Sequence, residues 1–350
     1  MKAPAVTVLM PVYNGERFVR DAIQSILQQT WTDLELLIVN DGSTDRTRQI
    51  LNAYDDPRIR ILDHSTNIGL AKSLNLGLAA ARAPLIARQD ADDRSHPDRL
   101  RMQLEFMHRN PEVALLGTQA RILNKRGRIS RRPGWERAVT DKAIRFQLLF
   151  DNPFIHTSVM FRRDIVWHEL GGYDETFPTG QDFELWSRVA ARYQVCNLPA
   201  MLIDYRFHGS STSARYDDSH LERSSVIVAD NLRRYLGLQH VPDRWPQLIS
   251  ALHVNPTGVS HSELHELLNV IETIHEQFVD RHPDEQEEVR RVLAAKISQI
   301  ACLMAPGKRS AALSTFRRGC RVHGRVGQSF ALKFFALLLL GQRLRSQLSR

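Results

Sequence analysis

Through the first half of the chain, short runs of consecutive apolar residues alternate with stretches whose apolar positions recur at helical spacing. That alternation is the pattern of parallel β-α-β units. Residues 6–10 read as a first strand, followed by Phe18, Val19, Ala22, Ile23, Ile26 and Leu27 at helical spacing and a second strand over 34–39. A helix is predicted over 44–54, a strand over 58–62, a helix over 70–82 with Leu74 and Leu78 on one face, and a fourth strand over 84–87. Right-handed crossovers would gather these strands into one sheet.

A further helix is predicted from about Pro97, with Ser95 as its N-cap and Leu100, Leu104 and Met107 facing the core. Val113–Leu123 is apolar and β-like, and 124–134 is polar and Gly-containing, as a hairpin or loop would be. A strand after Ser158, a short helix, the turn Gly171-Gly172-Tyr173-Asp174, a helix over Gln181–Arg192 and a last strand over 202–207 complete the domain. Beyond about Tyr216 the strand pattern fades and helical stretches remain. Ser260 and Glu263 have capping-box spacing, and Leu264, Leu267, Leu268, Ile271, Ile274 and Phe278 form one apolar stripe. The division this predicts is a domain over 1–215, a helical appendage over 216–305, and a basic amphipathic segment over 306–350.

Composition changes little in this picture. With 350 residues, 43% hydrophobic and 25% charged, the chain is ordinary globular material. Cys196, Cys302 and Cys320 are odd in number and widely spaced, so neither a disulfide framework nor a zinc site is expected. The charge is more informative. The last acidic residue is Glu288, and thirteen of the 47 Lys and Arg lie beyond it, so the net +8 of the chain conceals −5 over residues 1–288. An anionic surface meeting the tail fits this better than a nucleic-acid groove in the body. The apolar block over 330–340 contains Lys333 and is too short to span a bilayer; flanked by arginines, it reads either as an interfacial helix on anionic lipid or as a helix packed on protein. The N-terminus has no signal-peptide pattern, so a cytoplasmic location, peripheral on the inner membrane face if the tail binds lipid, is expected.

Open parallel sheets bind ligands beyond the carboxyl ends of their strands. Three polar loops fall there: Pro11-Val12-Tyr13-Asn14-Gly15-Glu16, Asn40-Asp41-Gly42-Ser43-Thr44-Asp45, and Asp90-Ala91-Asp92-Asp93. Ordinary turn chemistry accounts for the first two equally well. The third holds three carboxylates in four residues, which repel one another and which a solvated turn does not need. An Asp-x-Asp pair suits a divalent cation that also binds diphosphate oxygens.

With VTVLMPVYNGERF, ELLIVNDGSTD, NIGLAKSLNLGLAAA, ARQDADDRSHPDRL and GQDFELWSRV in that order, residues 5–213 resemble glycosyltransferase family 2. The resemblance implies a GT-A fold, a Rossmann-like, mostly parallel α/β sheet flanked by helices, here with a C-terminal helical appendage. It also implies an inverting enzyme that uses Mn²⁺ or Mg²⁺ and a nucleotide-sugar donor, UDP-linked in preference to GDP- or dTDP-linked. A glycan or lipid-linked acceptor and a role in bacterial surface-polysaccharide assembly go with it. By the same resemblance Pro11, Tyr13 and Glu16 cradle the nucleotide, Asp41 bonds the base, and Arg88 and Asp90 contact the donor. Asp92 is the metal ligand with Asp93 beside it, and His208, in YRFHGSSTS, completes the metal or diphosphate site.

Transfer also calls for a base to accept the acceptor hydroxyl's proton. The resemblance points to Asp182, opening a helix where the macrodipole would favour a carboxylate for structural reasons alone. Gln181 stands where the family usually has Glu. No QxxRW pattern follows, which favours single addition over processive synthesis. The competing reading is a catalytically inactive nucleotide-sugar-binding subunit. A dinucleotide oxidoreductase is excluded by PVYNGE in place of GxGxxG after the first strand.

Overall fold

The computed structural model describes residues 3–124, 127–130, 137–206, 218–254, 258–283, 286–304 and 309–322. The chain forms two compact units, one of residues 1–141 and 152–215, the other of 142–151 and 216–350. The first unit is a sheet of eight strands: β1 (Val6–Val12), β2 (Leu34–Asn40), β3 (Ile59–Asp63), β4 (Leu85–Arg88), β5 (Arg94–Ser95), β6 (Val113–Leu123), β7 (Met160–Arg162) and β8 (Gln194–Arg206). Their order is β3-β2-β1-β4-β7-β6-β8-β5. The β1–β2, β1–β4, β2–β3 and β6–β8 pairs are parallel; β7 and β5 join antiparallel to their neighbours. The expected α/β sheet flanked by helices, with helices following, is the fold observed.

β1 and β2 are buried at every position, which is why they read as unbroken apolar runs rather than alternating ones. Pro11 sits inside β1 without breaking the ladder. The Leu9 carbonyl faces β4 and the Val12 carbonyl faces β2, so Pro11 turns its missing N–H to the β4 side, where pairing has already ended at Leu9 and Arg88. The flanking helices are α1 (Val19–Leu27), α2 (Thr47–Asn52), α3 (Leu70–Ala80), α4 (Arg99–Arg109) and α6 (Gln181–Arg192), and α5 (Asp141–Gln147) leads into the second unit. Val19, Ala22, Ile23 and Ile26 of α1 and Leu100, Leu104 and Met107 of α4 close one core cluster with β1 and β2.

Three expectations shift. α2 begins at Thr47 rather than 44, because Ser43, Thr44 and Asp45 spend their polar groups on the preceding loop. α4 begins at Arg99, and Ser95 is no cap: it pairs with Ile203 as part of β5, and its hydroxyl bonds Gln89 and Arg99. β8 starts at Gln194 instead of 202, because a register shift lets Pro199 and Ala200 bulge out between the pairs Thr118–Leu198 and Gln119–Met201. Within the expected hairpin, Ile129 bridges back to Leu123; residues 125, 126 and 131–134 lie outside the described residues.

The second unit is helical: α7 (Asp218–Leu236), α8 (Arg244–Val254), α9 (His261–Arg281), α10 (Gln286–Met304) and α11 (Arg309–Val322). The capping box at Ser260 and Glu263 forms as expected, and every member of the α9 apolar stripe is buried. Phe278 meets Phe146 with ring centroids 5.1 Å apart. Lys296 and Asp151 form an ion pair at 2.9 Å, with both side chains largely buried. Among the described residues no helix is long and apolar enough to cross a membrane, and the block over 330–340 lies outside them.

Candidate active site

The loops after β1 and β2 are stitched together by their own polar atoms. Asn14, at φ 51°, donates its N–H to Ser43 Oγ at 3.0 Å and accepts the Thr44 N–H on Oδ1 at 2.8 Å. Gly15 donates to Thr47 Oγ1, Glu16 donates to Asp45 Oδ2, and Glu16 Oε2 accepts both the N–H and Nε–H of Arg46 at 3.1 Å. Gly42 is required where it stands: at φ 67° a Cβ would press within 2.7 Å of the backbone of Thr66 and Asn67. Asp41 is buried and receives the N–H groups of Ile68 and Gly69 at 2.8 and 3.1 Å, tying this loop to the entrance of α3. Pro11 is buried at the end of β1, whereas Tyr13 is 50% exposed.

The third loop is built around buried arginines. Arg88, fully buried, holds Asp90 Oδ1 at 2.6 Å. Arg99, fully buried, bonds Gln103, Gln89, Ser95 and the carbonyls of Arg88 and Val159. Burial pushes the pKa of Arg99 down to about 9, which leaves it charged at neutral pH. Asp93 is buried and accepts the Arg206 N–H on Oδ1 at 2.7 Å. Burial, then the charges of Asp92 and Asp90, raise its carboxyl well above the ordinary range. Arg206 donates from Nε to the Asp92 carbonyl at 2.8 Å, reaches Asp21 at 3.3 Å, and lies over the Phe18 ring at 4.5 Å. Asp92 itself is half-buried. A Cβ on Gly15 would sit 3.9 Å from that of Ala91, so the first and third loops are neighbours.

Asp182 lies in the first turn of α6, which starts after Gly180 in the left-handed region. Its Oδ1 accepts the Phe183 N–H at 2.9 Å, and its Oδ2 accepts from Asn152 Nδ2 at 2.8 Å. Burial raises its pKa; Asp90 adds to this, and the helix N–H groups and Arg88 oppose it. The charges of Asp90 and Arg88 in the third loop thus act on the Asp182 carboxyl. Gln181 is buried beside it, and among the described residues its side-chain oxygen has no hydrogen-bond partner. Thus Asp90, Asp92, Asp93, Arg88 and Asp182 share one electrostatic neighbourhood, and Tyr13, Glu16 and Asp41 lie on loops braced to it. His208 lies outside the described residues.

Residues 7–170 match the family described as "Glycosyl transferase family 2". The O-antigen biosynthesis glycosyltransferase WbnJ of Escherichia coli is 31% identical over 212 residues, 59% of this chain and 81% of that one. The chain belongs to glycosyltransferase family 2. It is a glycosyltransferase, and its fold is that of S. aureus TarS residues 1–349, solved with UDP-GlcNAc (TM-score 0.55, 16% identity, covering 97% of this chain and 93% of that one). The mannosyltransferase PcManGT of Pyrobaculum calidifontis, solved with GDP-Man and Mn²⁺, shares the fold at TM-score 0.51 and 16% identity, over 97% of this chain and 88% of that one.

The family 2 chain also contains functional candidates that motif reading passed over. Residues 152–158, NPFIHTS, run beside the site: Thr157 Oγ1 accepts the Asp90 N–H at 2.9 Å, and His156 Nε2 meets the Tyr173 hydroxyl at 3.0 Å. Burial, with Arg88 second, drives His156 well below its ordinary pKa, so it stays uncharged. Tyr173 is held by Asn75 of α3, which exchanges hydrogen bonds with its N–H and carbonyl at 2.8 and 2.9 Å. A cluster of Asn, His, Thr and Ser before a short strand was the available signal. Among the described residues no three His, Cys, Asp or Glu side chains converge as a metal-binding set.

Proposed function

We propose that this enzyme transfers a single sugar, with inversion, from a nucleoside-diphosphate sugar to a hydroxyl of a glycan or lipid-linked acceptor, in the assembly of a bacterial surface polysaccharide. The observation that supports the reading is the buried Asp182 carboxylate, held by Asn152 and the Phe183 N–H, with a proton affinity raised by burial and acted on by the charges of Asp90 and Arg88 in the third loop. Asp182 accepts the hydroxyl proton as the new C–O bond forms, and the nucleoside diphosphate departs from the other face of the anomeric carbon. Arg88 and Asp90 orient the donor, Tyr13 offers an exposed ring beside the nucleotide, and Pro11, Glu16 and Asp41 shape its pocket. A UDP-sugar is the first candidate, supported by the UDP-GlcNAc bound to TarS. The O-antigen role of WbnJ supports the glycan assignment.

Asp92, together with Asp90, fits a divalent cation. Their oxygens are hard ligands, and the charge of Asp92 adds to the proton affinity of both neighbours, an excess negative field that a dication would relieve. Mg²⁺ or Mn²⁺ held by one or two carboxylates plus substrate phosphates needs no three-residue set, so the missing cluster is no obstacle. When bound, the ion would neutralise charge on the departing diphosphate, with His208 as an additional ligand. The enzyme works on the cytoplasmic side, and the basic tail brings it to anionic lipid.

The test is a thermal-shift panel of UDP-, GDP- and dTDP-sugars with and without Mn²⁺, since a ligand that binds only the native state raises its stability. One nucleotide should raise Tm in a Mn²⁺-dependent way. No shift with any of them would defeat the donor assignment.

A further inference from the structure

Asn152 reaches the base from outside the elements that carry the family motifs. Its Nδ2 donates to Asp182 Oδ2 at 2.8 Å while its Oδ1 accepts the Phe154 N–H at 3.0 Å. The second bond fixes the amide, because a flipped Asn would oppose its NH₂ to a peptide N–H and its oxygen to a carboxylate. Five residues on, Thr157 holds the backbone of Asp90. The segment between is itself anchored: Asn197 Nδ2 bonds the Pro153 carbonyl at 3.1 Å, and Ser158 Oγ receives the Thr118 N–H at 3.1 Å. One strap thus grips both the base and the donor loop, with its ends fixed on β6 and β8.

We infer that Asn152 is a positioning residue for the transfer: it fixes the plane of the Asp182 carboxylate, and residues 152–158 set the spacing between that carboxylate and the donor loop. The inference rests on Asp182 being the base. With Oδ1 held by Phe183 and Oδ2 by Asn152, the carboxylate cannot rotate, and its remaining lone pairs keep one direction for the acceptor hydroxyl. Arg88 and Asp90 from the donor loop and Tyr173 from the turn before α6 face the same carboxylate, so its titration reports all of them together with Asn152.

The contact is read without substrate by labelling the full chain with ¹⁵N-asparagine and assigning the Asn152 side-chain amide by its loss in Asn152→Ala. Its shift should titrate with a midpoint above the ordinary carboxylate range and stop titrating in Asp182→Asn. A signal indifferent to Asp182→Asn would overturn the inference. The kinetic arm follows UDP release from UDP-GlcNAc and GDP release from GDP-mannose. Asn152→Ala should lower kcat about tenfold or more and leave the donor KM within about twofold. The acidic limb of the kcat profile should move to higher pH, since a hydrogen bond favouring the ionised form is gone. Asn152→Asp should move that limb further, because two adjacent carboxylates resist joint ionisation. A kcat loss matched by lower Tm with the limb unmoved would reduce Asn152 to a structural part. Full turnover by Asp182→Asn would instead sink the base assignment, while the amide titration would still decide the contact.

Discussion

Arg99 in the first unit and Ile271 in the second are both fully buried, and their surroundings differ in kind. Around Arg99 stand Gln89, Ser95, Gln103 and two carbonyls, all oriented by the charge they enclose. Around Ile271 runs an apolar stripe at helical spacing, interchangeable in chemistry and specific only in volume. The loop edge of the sheet buries charge to hold other charges in place, and the α9 face buries area to hold a helix. Functional geometry belongs to the first kind of burial, where position is set by direction as well as by contact.

The contrast can be broken most sharply at Asp182. Asp182→Asn should cut transfer about 100- to 10,000-fold. Its carboxyl is raised in the folded state, so the native chain binds more protons than the unfolded one between the ordinary and raised values, and ionisation above that window costs stability. The wild-type chain should therefore lose stability relative to Asp182→Asn as pH rises from about 4 through that window. Activity should fall as acid protonates Asp182, with a limb above the ordinary carboxylate range; kcat against pH measures it. A Tm difference between wild type and Asp182→Asn that did not change with pH across that window would contradict the burial argument.

Next in size is Arg99→Leu, which leaves buried acceptors unpaired and should cost about 3–5 kcal/mol in denaturant unfolding. Donor binding should weaken with it, because the same side chain holds the Arg88 carbonyl. In the second unit, Ile274→Ala should cost about 2–4 kcal/mol through lost burial and the cavity left, while kcat per folded molecule holds. The smallest effect belongs to Ser260→Ala, about 1 kcal/mol from loss of the capping box, again without change in kcat. If Ile274→Ala proved as damaging to donor affinity as Arg99→Leu, the contrast between the two kinds of burial would lose its meaning.

These differences explain how much the sequence disclosed. The strands β1, β2 and β4, the helix Gln181–Arg192 and the α9 stripe were legible because each is local: an apolar run, a period or a capping pair within a few residues. The start of α4 and the length of β8 were not. Ser95 looks like a cap until its distant strand partner, Ile203 on β8, is known. Likewise Pro199 argues against a strand until β6 is seen to absorb it in a register shift. In the site, residues on motif-bearing loops were readable by resemblance. Asn152, Thr157 and Arg206 act on the loop carrying Asp90, Asp92 and Asp93, or on Asp182, across 30 to 114 positions of sequence, where no local pattern reports them.

The most direct test is a crystal structure of the full chain with an unhydrolysed nucleotide sugar and Mn²⁺. The diphosphate is expected on the Asp90–Asp92 loop, with Asp92 among the residues that would hold the cation, and the Asp182 carboxylate on the face of the anomeric carbon opposite the leaving group. A nucleotide bound away from that loop, or Asp182 on the leaving-group side, would contradict the account.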